Sequence, residues 1–339
     1  MKCLVLDFGG TFLKYSVMDH ELQIYAKGEI PSPSKSVEDF IDCIAGLYDT
    51  YQAQVEGIAI SMPGVIDAET GYIKSAGALL ALYGHNIFEL LKDRCPVPVS
   101  VENDGKCAAL AEAWCGNLKD CRDGVVIILG TAIAGGLIKN HQLHRGYTFS
   151  AGEFSFMFLG DQIGIEHSAF YSCSVAALLF NACLAKGIDV KKSPNYKLVS
   201  QFRKVDQQLT VWDLNPKYAN GFDGIHFFEL LEQDDQDIQN VYDDFLFNLA
   251  KLIFNVQVLY DPEKILIGGG ISRQKRLTQD IAKKVQLIVD SYQGIFTPNY
   301  TIDSCKFLHE TNQYGALYNY LMSKAGHLLK NRSDADFAR

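Results

Sequence analysis

LDFGGTFLKYSVMD, residues 6–19, joins an apolar run that begins at Lys2 to a second run through a Gly-Gly-Thr turn. KCLVLDF reads as a strand, and YSVMD with LQIYAKGEI as a continuing hairpin. Gly9 and Gly10 let the backbone bend where a side chain blocks a bulky anion, and Thr11 adds a hydroxyl donor. An ordinary hairpin uses such a turn as readily as a phosphate loop does. Asp7 tilts the reading, because a carboxylate beside a phosphate makes sense mainly when Mg²⁺ or a bound water mediates.

Outward from that turn, strand-like and helix-like stretches alternate. VEDFIDCIAGLYDTYQ (37–52) has apolar residues three to four apart and predicts a helix, followed by the apolar run VEGIAIS. After the turn MPGVIDAETG (62–71), FELLKDRC predicts a second helix and VPVSVEND another strand. A second set opens near residue 124, where DGVVIILGTAIAGGLIKNHQLHRG repeats strand, glycine-bearing turn and strand. LDFGGTFLKYSVMD and ILGTAIAGGLIKN both place a Gly-Thr turn between apolar strands, which predicts two related α/β lobes facing one cleft. A helical stretch is expected at about 174–193, and residues 193–224 read as irregular and polar-aromatic. DDFLFNLAKLIFNVQVLY predicts a strongly amphipathic helix, EKILIGGG a buried strand ending in three glycines, and YGALYNYLMSKAGHLL a closing helix that packs back on the first lobe. At 339 residues the chain is longer than one ordinary core supports. The expected lobes are residues 1–117 with 316–339, and residues 118–315.

Charge and composition exclude some classes. With 31 Lys and Arg against 40 Asp and Glu, the formal charge is −9 and no basic block stands out, which argues against a nucleic-acid partner. No signal peptide and no apolar run long enough to span a bilayer is apparent, so a cytoplasmic protein without a membrane partner is expected. The nine cysteines are scattered, without a close CxxC pair, and read as reduced, buried apolar residues.

Three further stretches carry chemistry. In VSVENDGKCAALAE (99–112), Glu102, Asn103 and Asp104 end a strand and open an Ala-rich helix. Asn103 or Asp104 serves as a helix cap, and strand ends are also where α/β proteins place reactive side chains. LGTAIAGG supplies Gly130 and Thr131; LIGGGIS supplies Gly268, Gly269 and Gly270. Three strand-to-glycine turns in one chain are hard to attribute to hairpins alone, and a nucleotide is the economical common ligand.

Taken in order, DFGGTFLK, SMPGVID, VENDGKCAALAE, LGTAIAGGLIKN, RGYTFSAGEF, LYDPEKILIGGGIS and YGAL resemble the ROK family of sugar kinases and sugar-responsive repressors, a branch of the actin-like ATPase superfamily. The resemblance implies two actin-like (ribonuclease H-like) lobes, ATP with Mg²⁺ near Asp7, and transfer of the γ-phosphoryl group to a hydroxyl of a hexose, amino sugar or glycoside. It makes Asp104 the catalytic base, and Asn103, Glu153 and Gly64 part of the sugar pocket. It assigns Asp7, Gly9, Gly10, Thr11, Lys14, Gly130, Thr131, Gly268, Gly269 and Gly270 to the nucleotide side. It also makes a homodimer an expectation, although nothing in the sequence itself sets the oligomeric state.

Two departures from the family pattern matter. Family members usually bear a structural zinc site with a His and a cysteine cluster. Here the stretch reads AGEFSFMFLGDQIGIEHSAFYSCS, with Phe156 in place of the His and no cluster, so no zinc is expected. Glu166 or His167 is then the candidate substitute sugar contact. Ala132 and Ala134 stand where glycines are common, which costs little at negative φ and clashes at positive φ. A competing reading follows: a sugar sensor without effective catalysis. No helix-turn-helix is expected ahead of DFGGT, so a sensor requires a protein partner.

Overall fold

Period-two alternation along the first strand organises the first sheet. In the computed structural model, which describes residues 1–193, 197, 199, 221–307 and 310–337, β1 (Lys2–Phe8) turns Leu4, Leu6 and Phe8 to one face and Cys3, Val5 and Asp7 to the other. β2 (Phe12–Asp19) and β3 (Ile24–Pro31) continue antiparallel. Helix α1 (Val37–Tyr51), capped by the Ser36 hydroxyl accepting from the Asp39 amide at 3.1 Å, buries Phe40, Ile44, Ala45 and Tyr48 in the core shared with Leu4, Leu6 and Phe8. The Phe8 and Phe40 rings lie 5.2 Å apart.

β4 (Ile58–Met62) then adds parallel to β1 and is buried along its whole length, as befits a strand covered on both faces. Between it and the next strand of the sheet the chain forms a hairpin of β5 (Val65–Asp67) and β6 (Tyr72–Ser75), where the sequence suggested only a turn, and a short α2 (Ile87–Leu91) capped by Asn86. β7 (Val99–Asn103) completes the sheet order β3-β2-β1-β4-β7, and α3 (Asp104–Cys115) leads away from its end.

The second sheet repeats this order. β8 (Gly124–Leu129), β9 (Ile133–Lys139) and β10 (Gln142–His144) correspond to the opening meander, and the sheet runs β10-β9-β8-β11-β12, with β11 (Lys264–Gly268) parallel to β12 (Thr301–Ser304). The helix expected over about 174–193 begins where expected but is shorter, α5 (Val175–Ala185), followed by a 3-10 turn at Val190–Lys192. A separate short α4 (Ala169–Cys173) precedes it, and Ser174 between them is extended and caps α5 through the Ala177 amide. The polar-aromatic reading of 193–224 falls largely outside the described residues. After α6 (Gly224–Glu232), the amphipathic helix is α7 (Gln236–Tyr260), which buries Tyr242, Phe245, Leu249, Ile253 and Val256 at three- and four-residue spacing. α8 (Lys275–Ser291) precedes β12, and the chain closes with α9 (Thr311–Phe337). Ala316, Leu317 and Tyr320 of α9 pack with Cys3, Val5, Ala59 and Cys107 on the face of the first sheet opposite α1.

The chain separates into two compact units: residues 1–126, 135–152 and 305–339, and residues 127–134 and 153–304. Among the described residues no helix is long and apolar enough to cross a membrane.

Candidate active site

A polar row crosses the first sheet on the face that α9 covers. Strand register sets Lys14 of β2 opposite Asp7 of β1, Asp7 beside Ser61 of β4, and Ser61 beside Glu102 of β7. Directly opposed residues share a face, so these four side chains follow from register and alternation together. Asp7 Oδ1 accepts from Ser61 Oγ at 3.0 Å and from Asn312 Nδ2, on the first turn of α9, at 3.1 Å. Among the described residues Oδ2 has no hydrogen-bond donor. Burial pushes the Asp7 carboxyl up to about 6; the Asn312 and Ser61 hydrogen bonds and the Lys14 charge oppose this, and the nearby Asp104 carboxylate reinforces it.

Glu102 and Asn103 point to opposite faces of β7, which corrects the grouping of Glu102 with its two neighbours. Glu102 is fully buried, accepts from the Asn103 amide at 2.9 Å, and pairs with Arg145 Nε at 2.7 Å. Arg145 also donates to Asn319 Oδ1 of α9 at 2.9 Å. Glu102 is therefore a brace for the strand end; Arg145 opens the stretch RGYTFSAGEF, but nothing in the sequence tied it to Glu102. Asn103 turns the other way: its side-chain oxygen caps α3 through the Lys106 amide at 3.0 Å, and its Nδ2 donates to the Gly64 carbonyl at 2.9 Å. Gly64 has φ 111°, and a Cβ there meets the Ser75 carbonyl oxygen at 2.0 Å, so only glycine fits. Asp104 opens α3, its Oδ1 accepting from the Gly105 amide at 2.8 Å; burial raises its pKa above the ordinary carboxylate value, against that hydrogen bond and the Lys106 charge. Of the two cap candidates it is Asn103 whose side chain caps α3.

The first glycine turn is exposed and tied at both ends. The Gly9 amide donates to the Phe12 carbonyl at 2.9 Å, the Ser32 hydroxyl to the Gly9 carbonyl at 2.6 Å, and the Ser32 amide to the Thr11 carbonyl at 2.9 Å. Neither Gly9 nor Gly10 has a positive φ. Neither needs glycine for its φ, but a Cβ on Gly9 falls 3.1 Å from the Phe12 carbonyl oxygen, a tight contact, while one on Gly10 meets the Ala78 Cβ at an ordinary 3.6 Å.

In the second unit, Gly130 and Thr131 join Gly270 in one pocket of about 430 Å³, a volume in the range of small-molecule sites. Its apolar wall is Val175, Ala176, Leu179, Phe228 and Ile271, and its polar groups include Asp223, Arg273 and Gln274. The sequence singled out none of this wall, because its members lie on separate elements. Gly269 has φ 96°, and a Cβ on it falls 2.0 Å from the Leu129 carbonyl oxygen, so the glycine turn packs directly on the end of β8. Gly268 ends β11, and the Gly270 position faces open space. Neither Ala132 nor Ala134 takes a positive φ, so their methyls leave this turn unstrained.

Glu153 precedes a 3-10 turn at Phe154–Phe156, where Ser155 Oγ accepts from the Ile133 amide at 2.8 Å. Glu166 and His167 lie on a separate 3-10 turn, Ile165–His167, and neither lines the Gly130–Gly270 pocket. Phe156 is 69% exposed. Among the described residues no group of three or more His, Cys, Asp or Glu side chains is arranged to hold a metal ion.

Two sheets of like order, each bearing a glycine turn after its first strand, define a mixed α/β protein of the actin-like class. The chain belongs to the ROK family, whose model matches residues 3–319. It is similar to a beta-glucoside kinase of Listeria monocytogenes, with 27% identity over 96% of this chain and 100% of that protein. It is also similar to an N-acetyl-D-glucosamine kinase of Aliivibrio fischeri, with 28% identity over 82% of this chain and 87% of the relative. In fold it matches a ROK family glucokinase from Streptomyces griseus in complex with glucose and AMPPNP, at a TM-score of 0.73 and 21% identity, covering 94% of this chain and 98% of that one.

Proposed function

We propose that this chain is an ATP-dependent sugar kinase that transfers the γ-phosphoryl group to a hydroxyl of a hexose, amino sugar or glycoside. The observation that carries the reading is the β7–α3 junction, where Asp104 heads a capped helix beside Asn103, itself bonded to Gly64. The names of the two kinase relatives and the AMPPNP in the glucokinase complex support the substrate class and the nucleotide.

Asp104 accepts the proton of the attacking sugar hydroxyl. Its carboxylate needs only modest basicity, because a loose phosphoryl-transfer transition state asks chiefly for alignment and charge neutralisation. Burial, by raising its pKa, brings the group nearer to that of a useful base at neutral pH. Asn103, Gly64 and Glu153 orient the sugar; Glu166 and His167 are the candidate further contacts. Gly130, Thr131 and Gly270 take the nucleotide against the wall of Val175, Leu179 and Phe228, with Gly268 and Gly269 shaping the turn behind Gly270; in the first unit Gly9, Gly10, Thr11 and Lys14 are the candidate phosphate contacts. Asp7 fits a hydrated Mg²⁺, since one carboxylate oxygen is held by two donors and the other is left for a metal-bound water. Mg²⁺ supplies neutralisation of phosphate charge. A negative φ at Ala132 and Ala134 removes one reason to favour a sensor over an enzyme.

The test is a coupled ADP-release assay over hexoses, N-acetylated hexosamines and β-glucosides, with wild type and Asp104→Ala. Sugar-stimulated release that falls by about 10²–10⁴-fold in the variant is expected. Absence of stimulation by every sugar, or equal rates in both proteins, refutes the assignment.

A further inference from the structure

We propose that Asn312, at the start of the C-terminal helix α9, is a positioning residue for Asp7, fixing which carboxylate oxygen is presented to the nucleotide-bound metal. This rests on the reading of Asp7 given above and deepens it.

Asn312 and Ser61 reach Asp7 from different elements, α9 and β4, yet both donate to Oδ1, at 3.1 and 3.0 Å. Two donors from two directions fix the rotation of a carboxylate that a single bond leaves free to swing, and hydrogen bonds to a charged group are the stronger kind. The other oxygen is left without a donor among the described residues.

The depth of Asn312 along the helix is set independently. Gly315 lets α9 approach α3 at backbone distance, since a Cβ there falls 1.8 Å from the Cys107 carbonyl oxygen. About one turn beyond Gly315, Asn319 donates to the Val101 carbonyl at 3.3 Å and accepts from Arg145, and Tyr320 donates to the Glu56 carbonyl at 3.2 Å. Asn312 and Asn319 are seven residues apart and therefore share the face of α9 that meets the sheet. One helix thus delivers an amide to the end of β1 and another to the middle of β7.

A purely structural role makes a different forecast from a positioning role. If Asn312 merely starts the helix, Asn312→Asp is neutral or stabilising, because a carboxylate in the first turn of a helix is favourable. If it holds Asp7, the same isosteric change replaces a donor by a second negative charge beside Asp7.

The experiment titrates Mn²⁺ with ADP against the full chain, following the loss of the free Mn²⁺ electron-spin signal, and measures sugar binding and KM for Mg·ATP in parallel. Expected for Asn312→Asp is a tenfold or larger rise in the Kd for Mn·ADP and in KM for Mg·ATP, with sugar Kd unchanged. Ser61→Ala moves in the same direction by a smaller factor, and Asn312→Gln, which keeps an amide donor, recovers most of the loss. Equal Mn·ADP binding by wild type and Asn312→Asp overturns the proposal, as does sugar affinity falling in step. If Asn312→Asp does not fold, Ser61→Ala and Asn312→Gln decide by the same readouts. Failure of the wild type to bind Mn·ADP instead overturns the nucleotide reading itself.

Discussion

Removing Arg145 leaves Glu102 as a buried carboxylate whose charge is met, among the described residues, by the amide of Asn103 alone. Glu102 is 0% exposed, while the Arg145 side chain is 30% exposed. Breaking a buried ion pair by deleting one partner costs on the order of 3–5 kcal/mol. The exposed end of Arg145 is hydrated in either state, so the lower part of that range, about 3 kcal/mol, is expected for Arg145→Ala. For a unit of this size that corresponds to a fall in Tm of roughly 6–12 °C. Glu102→Gln removes the charge that needs a partner and lets Arg145 reach water, so it costs less, about 1–2 kcal/mol. In the double variant the orphaned charge is gone, and its loss is smaller than the two single losses combined. Differential scanning calorimetry on the four proteins, without ligands, measures the cycle. The same brace holds the Asn103 amide one residue from Asp104, so Arg145→Ala also lowers kcat more than it raises KM for ATP. A Tm for Arg145→Ala within 2 °C of wild type, or strict additivity in the cycle, refutes the argument.

The two adjacent glycines after β11 should behave differently. Gly269→Ala combines a positive φ with backbone overlap and is expected to cost at least about 2 kcal/mol and abolish nucleotide binding, whereas Gly270→Ala meets open space and keeps its Tm; equal melting temperatures for the two variants would count against the geometry. Ala132→Gly and Ala134→Gly are expected to leave KM for ATP within about twofold, because neither position needs a positive φ; a tenfold gain in either variant would show that the methyls obstruct the phosphates. Burial raises Asp7 to about 6 and Asp104 above its ordinary value of 3.8. A base acts in its ionised form, so kcat/KM for the sugar falls as the pH drops through this raised range, and the limb belongs to the pair. A profile flat down to pH 4 contradicts it.

Much of the site was legible because its signals are local. A glycine turn after an apolar strand, a polar triplet before an Ala-rich helix, and three glycines after KILI each announce themselves within a few residues. The β5–β6 hairpin was missed because strands of three and four residues leave almost no alternation to read. Glu102 was grouped with Asn103 because adjacency in sequence suggests adjacency in space, whereas a strand sends neighbours to opposite faces. The pocket wall of Val175, Leu179, Phe228 and Ile271 looked like ordinary core, and apolar residues facing a cavity do read as core one by one.

By itself the sequence determined the alternation of elements, the duplicated strand-turn-strand units and the places where glycine and carboxylate sit at strand ends, because propensity and period act over a few residues. Only tertiary structure decided the row Lys14, Asp7, Ser61 and Glu102, the Arg145 brace and the amide of Asn312. Those depend on strand register and on a helix that returns from residue 311 to meet residue 7, and a contact of that separation leaves no periodic trace in the chain that makes it.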